Sequence, residues 1–162
     1  MRKEVVDPFV VRITYTYCND PNCKHCARKQ KTLKWLSENF NQNNFQEIPP
    51  IVLVQDPETK ELLVYDGNIR VLFARENGFS LNAIILTSQT DLNEYLSRNL
   101  PLWFRIRNFN EILEYMRIYA QYPDPTGEMP PHLKAKVEKK YQEYLAELEW
   151  ERSKFYRWYD DD

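Results

Sequence analysis

The sequence predicts an α+β protein: a small mixed sheet with flanking helices, followed by a C-terminal α-helical extension. Three observations predict it. Short apolar runs bounded by turn residues recur between residues 51 and 86, the pattern of buried strands. Helix-length stretches with an inward apolar face alternate with them. Beyond Leu100-Pro101 the turn-bounded runs give way to long stretches of helical character.

Taken in order, Phe9, Val11, Ile13, Tyr15 and Tyr17 alternate with Val10, Arg12, Thr14 and Thr16, which predicts a half-buried strand over 9–17. A loop from Cys18 to Pro21 breaks it. A helix is expected from Lys24 to Phe40, with Leu33 and Leu36 inward and basic residues outward. Asn39 to Asn44 is an amide-rich linker, and Pro49-Pro50 opens the strand Ile51-Val52-Leu53-Val54. The turn Asp56-Pro57-Glu58-Thr59 leads to a second strand, Glu61 to Tyr65. Asp66-Gly67-Asn68-Ile69-Arg70 then opens a helix running through Asn77, Gly78 stops it, Leu81 to Leu86 is a strand, and Thr87 to Leu92 opens another helix. These elements make a core module over 9–98.

The extension covers 99–162. Leu102 to Arg107 reads as a short strand or buried connector, and Asn110 as the cap of a helix from Glu111 to about Gln121. Tyr122-Pro123-Asp124-Pro125-Thr126-Gly127 is a hinge-like stop. Pro130-Pro131 starts a helix that nothing breaks before Tyr159. Val137, Tyr144 and Trp158 recur at heptad spacing with Glu151 interrupting, and Tyr141, Leu148 and Phe155 form a second row. Such a seam packs back onto its own domain, onto a second copy of the chain, or onto a partner protein.

With 162 residues, 43% of them hydrophobic and 14% aromatic, the chain has ample material for a core and is not a disordered polymer. No stretch is apolar for long enough to span a bilayer, and Met1-Arg2-Lys3-Glu4 lacks the apolar core of a signal peptide, so a cytoplasmic location without membrane attachment is expected. Net charge is 22 minus 24, or −2. Only residues 1–36 are basic, so a nucleic-acid footprint, if there is one, falls on Lys24, Arg28 and Lys31. Three cysteines, an odd number, argue against a disulfide scaffold.

The corner after the second core strand carries the most chemistry. A strand ending in Asp-Gly and turning into a helix aims unpaired backbone N–H groups and the positive end of the helix dipole at one point. Gly67 permits the sharp turn and a close ligand, and Arg70 in the first helical turn has the fork geometry to hold a phosphate or to pair with a carboxylate. The order from Glu47-Ile48-Pro49-Pro50 through both strands, the Asp66-Gly67-Asn68-Ile69-Arg70 corner, the strand at 81–86 and the helix opening at 87–92 resembles the ParB/sulfiredoxin superfamily, closest in layout to the sulfiredoxin-like branch. Residues 45–98 carry the resemblance. Sulfiredoxins read Gly-Gly-Cys-His-Arg here and the ParB branch Gly-Glu-Arg-Arg, while other relatives read Asp-Gly-His-His-Arg or Asp-Gly-Asn-His-Arg. In this chain Asn68 stands where the reacting thiol would be and Ile69 where the histidine would be, and neither can replace that chemistry.

The resemblance implies a nucleotide or other phosphate ligand on Gly67, Asn68, Ile69 and Arg70. Arg70 and the N–H groups of Asn68 and Ile69 would hold phosphate, and Asp66 would hold magnesium with a nucleotide or serve as a general base. The expected function is a ligand-controlled switch or a weak phosphohydrolase. Two alternatives stand beside it: a non-catalytic protein-interaction module working through the C-terminal helix, and a ParB-type DNA-associated regulator or nuclease.

Cys18, Cys23 and Cys26 form one cluster directly after the first strand. The Cys23/Cys26 spacing is a metal-gripping knuckle with Cys18 as third ligand, and His132 or His25 is the expected fourth ligand of a zinc ion. Ordinary thiols and a redox pair are the other readings of the same residues.

Overall fold

A computed structural model describes residues 1–15, 22–99, 108–122 and 129–160. It is a mixed α+β structure. Within the described residues the strands β1 (Arg2–Val6), β2 (Val11–Arg12), β3 (Ile51–Gln55), β4 (Leu62–Asp66) and β5 (Leu81–Leu86) form one sheet in the order β1-β5-β3-β4-β2. β3 is central: it runs parallel to β5 and antiparallel to β4, while β1 closes one edge antiparallel to β5 and β2 the other parallel to β4.

Residues 51–54 are apolar without interruption because helices cover both faces of the central strand. Ile51 and Leu53 join Val64, Leu81, Ala83 and Ile85 on one face, under Leu36 of α1 (Lys24–Asn39) and Val71, Phe73 and Ala74 of α2 (Asn68–Asn77). Val52, Val54, Leu63 and Leu86 point the other way, under Leu92 and Leu96 of α3 (Gln89–Asn99) and Leu113 and Met116 of α4 (Phe109–Gln121). The period-two alternation of each strand thus feeds two separate cores.

Of the predicted strand over 9–17, residues 9–15 are described, and among these Val11 and Arg12 alone pair. Asp7 and Pro8 turn the chain before them, with the Asp7 carboxylate accepting from Phe9 N–H at 2.9 Å, and Phe9 is 66% exposed. After them the Thr14 N–H donates to a side chain of α2, not to a neighbouring strand. Thr14, which the alternation places outward, is buried. Tyr17 and Cys18 lie outside the described residues, as do the segments Leu102–Arg107 and Pro123–Gly127. Arg75 of α2 holds the irregular segment in place by donating to the carbonyls of Pro8 and Val11 at 2.8 and 2.7 Å.

α4, within the expected extension, packs on the sheet beside α3. α4 buries Phe109, Leu113, Met116 and Ala120, and Arg117 donates to the buried Asp56 at 2.7 Å across the β3–β4 turn. Its cap is Asn108, which accepts from Glu111 N–H at 3.0 Å, in place of the expected Asn110. α5 (Pro131–Asp160) starts at its proline as expected, and Lys136 and Lys140 pair with Glu114 and Glu111 of α4. Among the described residues no helix is long and apolar enough to cross a membrane.

Candidate functional site

β4 ends at Asp66, and one residue, Gly67, turns the chain into α2. Gly67 has φ 112° and ψ 25°, a conformation open to glycine and strained for any other residue. Space imposes the same choice, since a Cβ there would stand 2.6 Å from Ile51 Cγ2. α2 begins with no acidic residue in its first turn and no side chain capping its N–H groups. The N–H groups of the first turn therefore keep their partial positive charge toward the space above the corner.

Two of the side chains assigned to a ligand are occupied inside the fold. Asn68 Oδ1 accepts from Thr14 N–H at 2.9 Å, its Nδ2 donates to Thr14 Oγ1 at 3.3 Å, and that hydroxyl donates to the Val64 carbonyl at 2.7 Å. Asn68 is thus a latch joining the start of α2 to β4 and to the segment after β2. Arg70 donates through Nη1 to the carbonyls of Pro49 and Pro50, at 2.9 and 2.7 Å, and through Nη2 to Asp66 Oδ2 at 3.1 Å. Ile69 packs partly buried against the core beneath α1 and α2. Asp66 keeps a 60% exposed side chain despite its pairing with Arg70. Tyr65 and Tyr95 meet edge to face below it, and the Tyr95 hydroxyl is pushed up, first by burial and then by the Asp66 carboxylate.

The Arg70 clamp makes a direct expectation. Arg70→Ala should destabilise the fold by about 1.5 kcal/mol, the low end for bonds to a charged group because water reaches the proline carbonyls. Urea unfolding checks this, and an unchanged midpoint would show that the clamp holds nothing together.

The corner faces α1 across a cleft of about 360 Å³. Asp66, Gly67, Asn68, Ile69 and Arg70 line one side, and Arg28, Thr32, Trp35 and Leu36 the other. Arg28, Thr32 and Trp35 follow at i, i+4 and i+7 and so share one helix face. Arg28 is exposed and, among the described residues, makes no ion pair or hydrogen bond, unlike Arg70. Trp35 is 49% exposed and meets Phe40 edge to face at 5.5 Å. The sequence marks Arg28 as part of a basic helix face and gives no sign of its position opposite the corner. The i, i+4, i+7 spacing was visible, but only the packing of α1 on α2 shows which way that face turns. Lys31 is exposed on α1 and does not line the cleft, and the Lys24 side chain lies outside the described residues.

Of the expected zinc ligands, Cys23 precedes the first turn of α1 and Cys26 lies within it, half-buried and buried respectively. Cys18 and the side chain of His25 lie outside the described residues. His132 is exposed at the start of α5, whose ion pairs Lys136–Glu114 and Lys140–Glu111 join it to α4, on the face of the sheet opposite α1. Among the described residues no three His, Cys, Asp or Glu side chains come together as a metal site, so His132 does not join Cys23 and Cys26. No model of a known protein family matches the chain, and no curated protein matches it.

Proposed function

We propose that the cleft between α1 and the β4–α2 corner binds a nucleotide, and that the protein is a ParB/sulfiredoxin-like domain acting as a ligand-controlled switch. The observation that carries this reading is the meeting, in one cleft, of the uncapped start of α2 with the Arg28 guanidinium. Backbone N–H groups of Asn68 and Ile69 supply the cradle for phosphate. Arg28 supplies the charge, because Arg70 is already committed to Pro49, Pro50 and Asp66.

Trp35 supports a nucleotide over bare phosphate. It lies seven residues beyond Arg28, about 10 Å along the helix, a span suited to phosphate at one end and a stacked base at the other. Asp66, exposed at the rim, would meet magnesium carried by the phosphates or act weakly as a base in hydrolysis. The order β3, β4, α2, β5, α3 over 51–99 supports the family reading. A second reading, protein interaction through α5, draws support from Trp150, which is 58% exposed.

Calorimetric titration with a panel of nucleotides and inorganic phosphate, with and without magnesium, tests the proposal. Arg28→Ala should weaken nucleotide binding by about ten- to a hundredfold, the value of one charge-assisted contact, with the melting temperature unchanged. Trp35→Ala should weaken nucleotides and leave phosphate as it was. Silence across the panel, or an Arg28→Ala protein that binds like wild type, would refute the cleft as a phosphate site.

A further inference from the structure

Cys23 is the N-cap of α1, with φ −78° and ψ 121°, and its carbonyl accepts the helical bond from Ala27 N–H at 3.1 Å. Cys26 is the third residue of that helix and 8% exposed. In a continuous helix, side chains three apart hold their Cβ atoms about 5–6 Å from each other, too far for a disulfide. The extended backbone at Cys23 changes this. Off the helical spiral, and with its side chain capping no first-turn N–H, Cys23 is not held at that spacing from the third helical residue, Cys26. Cys23 is half-buried and Cys26 buried, so of the two residues Cys23 is the nearer to solvent. The first turn of α1 contains no acidic residue to repel an incoming thiolate or a thiolate intermediate.

We propose that Cys23 and Cys26 are a redox-active dithiol that exchanges two electrons with small disulfides, Cys23 attacking and Cys26 resolving. With oxidised glutathione, the Cys23 thiolate bonds to one sulfur, the glutathione S–S bond breaks, and one glutathione leaves as a thiolate. Cys26 gives its proton to water and attacks the Cys23 sulfur, and the second glutathione leaves as a thiolate. The two thiolates take up, through water, the protons that Cys23 and Cys26 gave up, so the product is a Cys23–Cys26 disulfide and two glutathione thiols; the protein is oxidised and glutathione disulfide reduced by one electron pair. The pairing would tie the first turn of α1 to its cap, one turn before Arg28 enters the cleft. It does not depend on the nucleotide reading.

The test incubates the full chain, reduced and then freed of reductant, in glutathione buffers of graded ratio, blocks remaining thiols with a maleimide, and maps modified peptides by mass spectrometry. Wild type should lose two thiols together, with the bond mapped to Cys23 and Cys26 and reversed by dithiothreitol. Cys26→Ser and Cys26→Ala should each trap a glutathione adduct on Cys23, and Cys23→Ser should lower the rate of adduct formation at least tenfold. A bond or adduct mapped to Cys18, oxidation that proceeds equally in Cys23→Ser, or thiols that react only after a stoichiometric zinc ion is chelated away would overturn the proposal. Mapping of the wild type alone decides the pairing should a buried Cys26 variant fail to fold.

Discussion

Gly67→Ala is expected to cost about 2–4 kcal/mol of folding stability, the sum of forcing a non-glycine residue into a strained backbone region and of overpacking a core contact. The backbone part follows from φ 112° and ψ 25°. The packing part follows from the 2.6 Å between the added Cβ and Ile51 Cγ2, because Ile51 is fully buried in the central strand and has nowhere to retreat. Arg70 Nη2, 3.2 Å from the same point, sits at the end of a long side chain and can move, but only by disturbing its bond to Asp66. Urea unfolding should show a lower midpoint at an unchanged slope. The double variant with Ile51→Ala separates the two parts: it removes the clashing methyl, so its loss should fall short of the summed single losses. A Gly67→Ala protein within 1 kcal/mol of wild type would mean that the corner relaxes freely and stores no backbone strain.

The second large effect belongs to Asp56. Its Oδ2 accepts from Arg117 Nε at 2.7 Å, and its Oδ1 from Glu58 N–H at 2.9 Å and Thr59 N–H at 3.4 Å. The Arg117 bond is the chief cause holding this carboxyl far below its ordinary 3.8; burial works against it, and the turn N–H groups add to the lowering. A carboxyl lowered by folding contributes stability that is present above its unfolded value and is lost as pH falls through that value toward the folded one. Asp56→Asn should therefore cost about 2–3 kcal/mol near pH 7, from a lost charge-assisted bond and a donor now facing Arg117. The gap between variant and wild type should narrow steadily below about pH 4. Asp91, also lowered, chiefly by the Thr87 N–H on its carboxylate, contributes to acid sensitivity in both proteins and cancels from the difference. Urea unfolding at pH 7, 4 and 3 gives the comparison. A gap that does not change with pH would show that the Asp56 charge is not what joins α4 to the β3–β4 turn.

Much of the fold was legible in the chain wherever local signals and burial agree. β3, β4, α2 and β5 fall within a residue of their expected limits, since each combines a short apolar run with a turn residue at its end: Asp56-Pro57 after β3, Gly67 after β4 and Gly78 after α2. β1 is not legible, for the opposite reason. Arg2, Lys3 and Glu4 have no apolar alternation, and only Val6 of the strand is buried. What holds β1 is backbone pairing with β5, and charged side chains are what an exposed edge carries. The strand read over 9–17 had the reverse fault: a clean alternation, but Pro8 at its start and Asn68 competing for the Thr14 backbone.

At the candidate site the residue types were legible and their commitments were not. The sequence by itself determined the α+β class, the sharp glycine corner, the uncapped helix start after it, and the absence of a thiol or imidazole at Asn68 and Ile69. Those are local properties, fixed by which residue sits at which turn. Only the tertiary structure decided that Arg70 turns back onto Pro49 and Pro50, that Asn68 latches Thr14, that α4 belongs to the core, and that Arg28 and Trp35 face the corner. A guanidinium or an amide bonds to whatever acceptor the fold brings within about 3 Å, and partners 20 to 54 positions away in sequence leave no mark in the residues beside it.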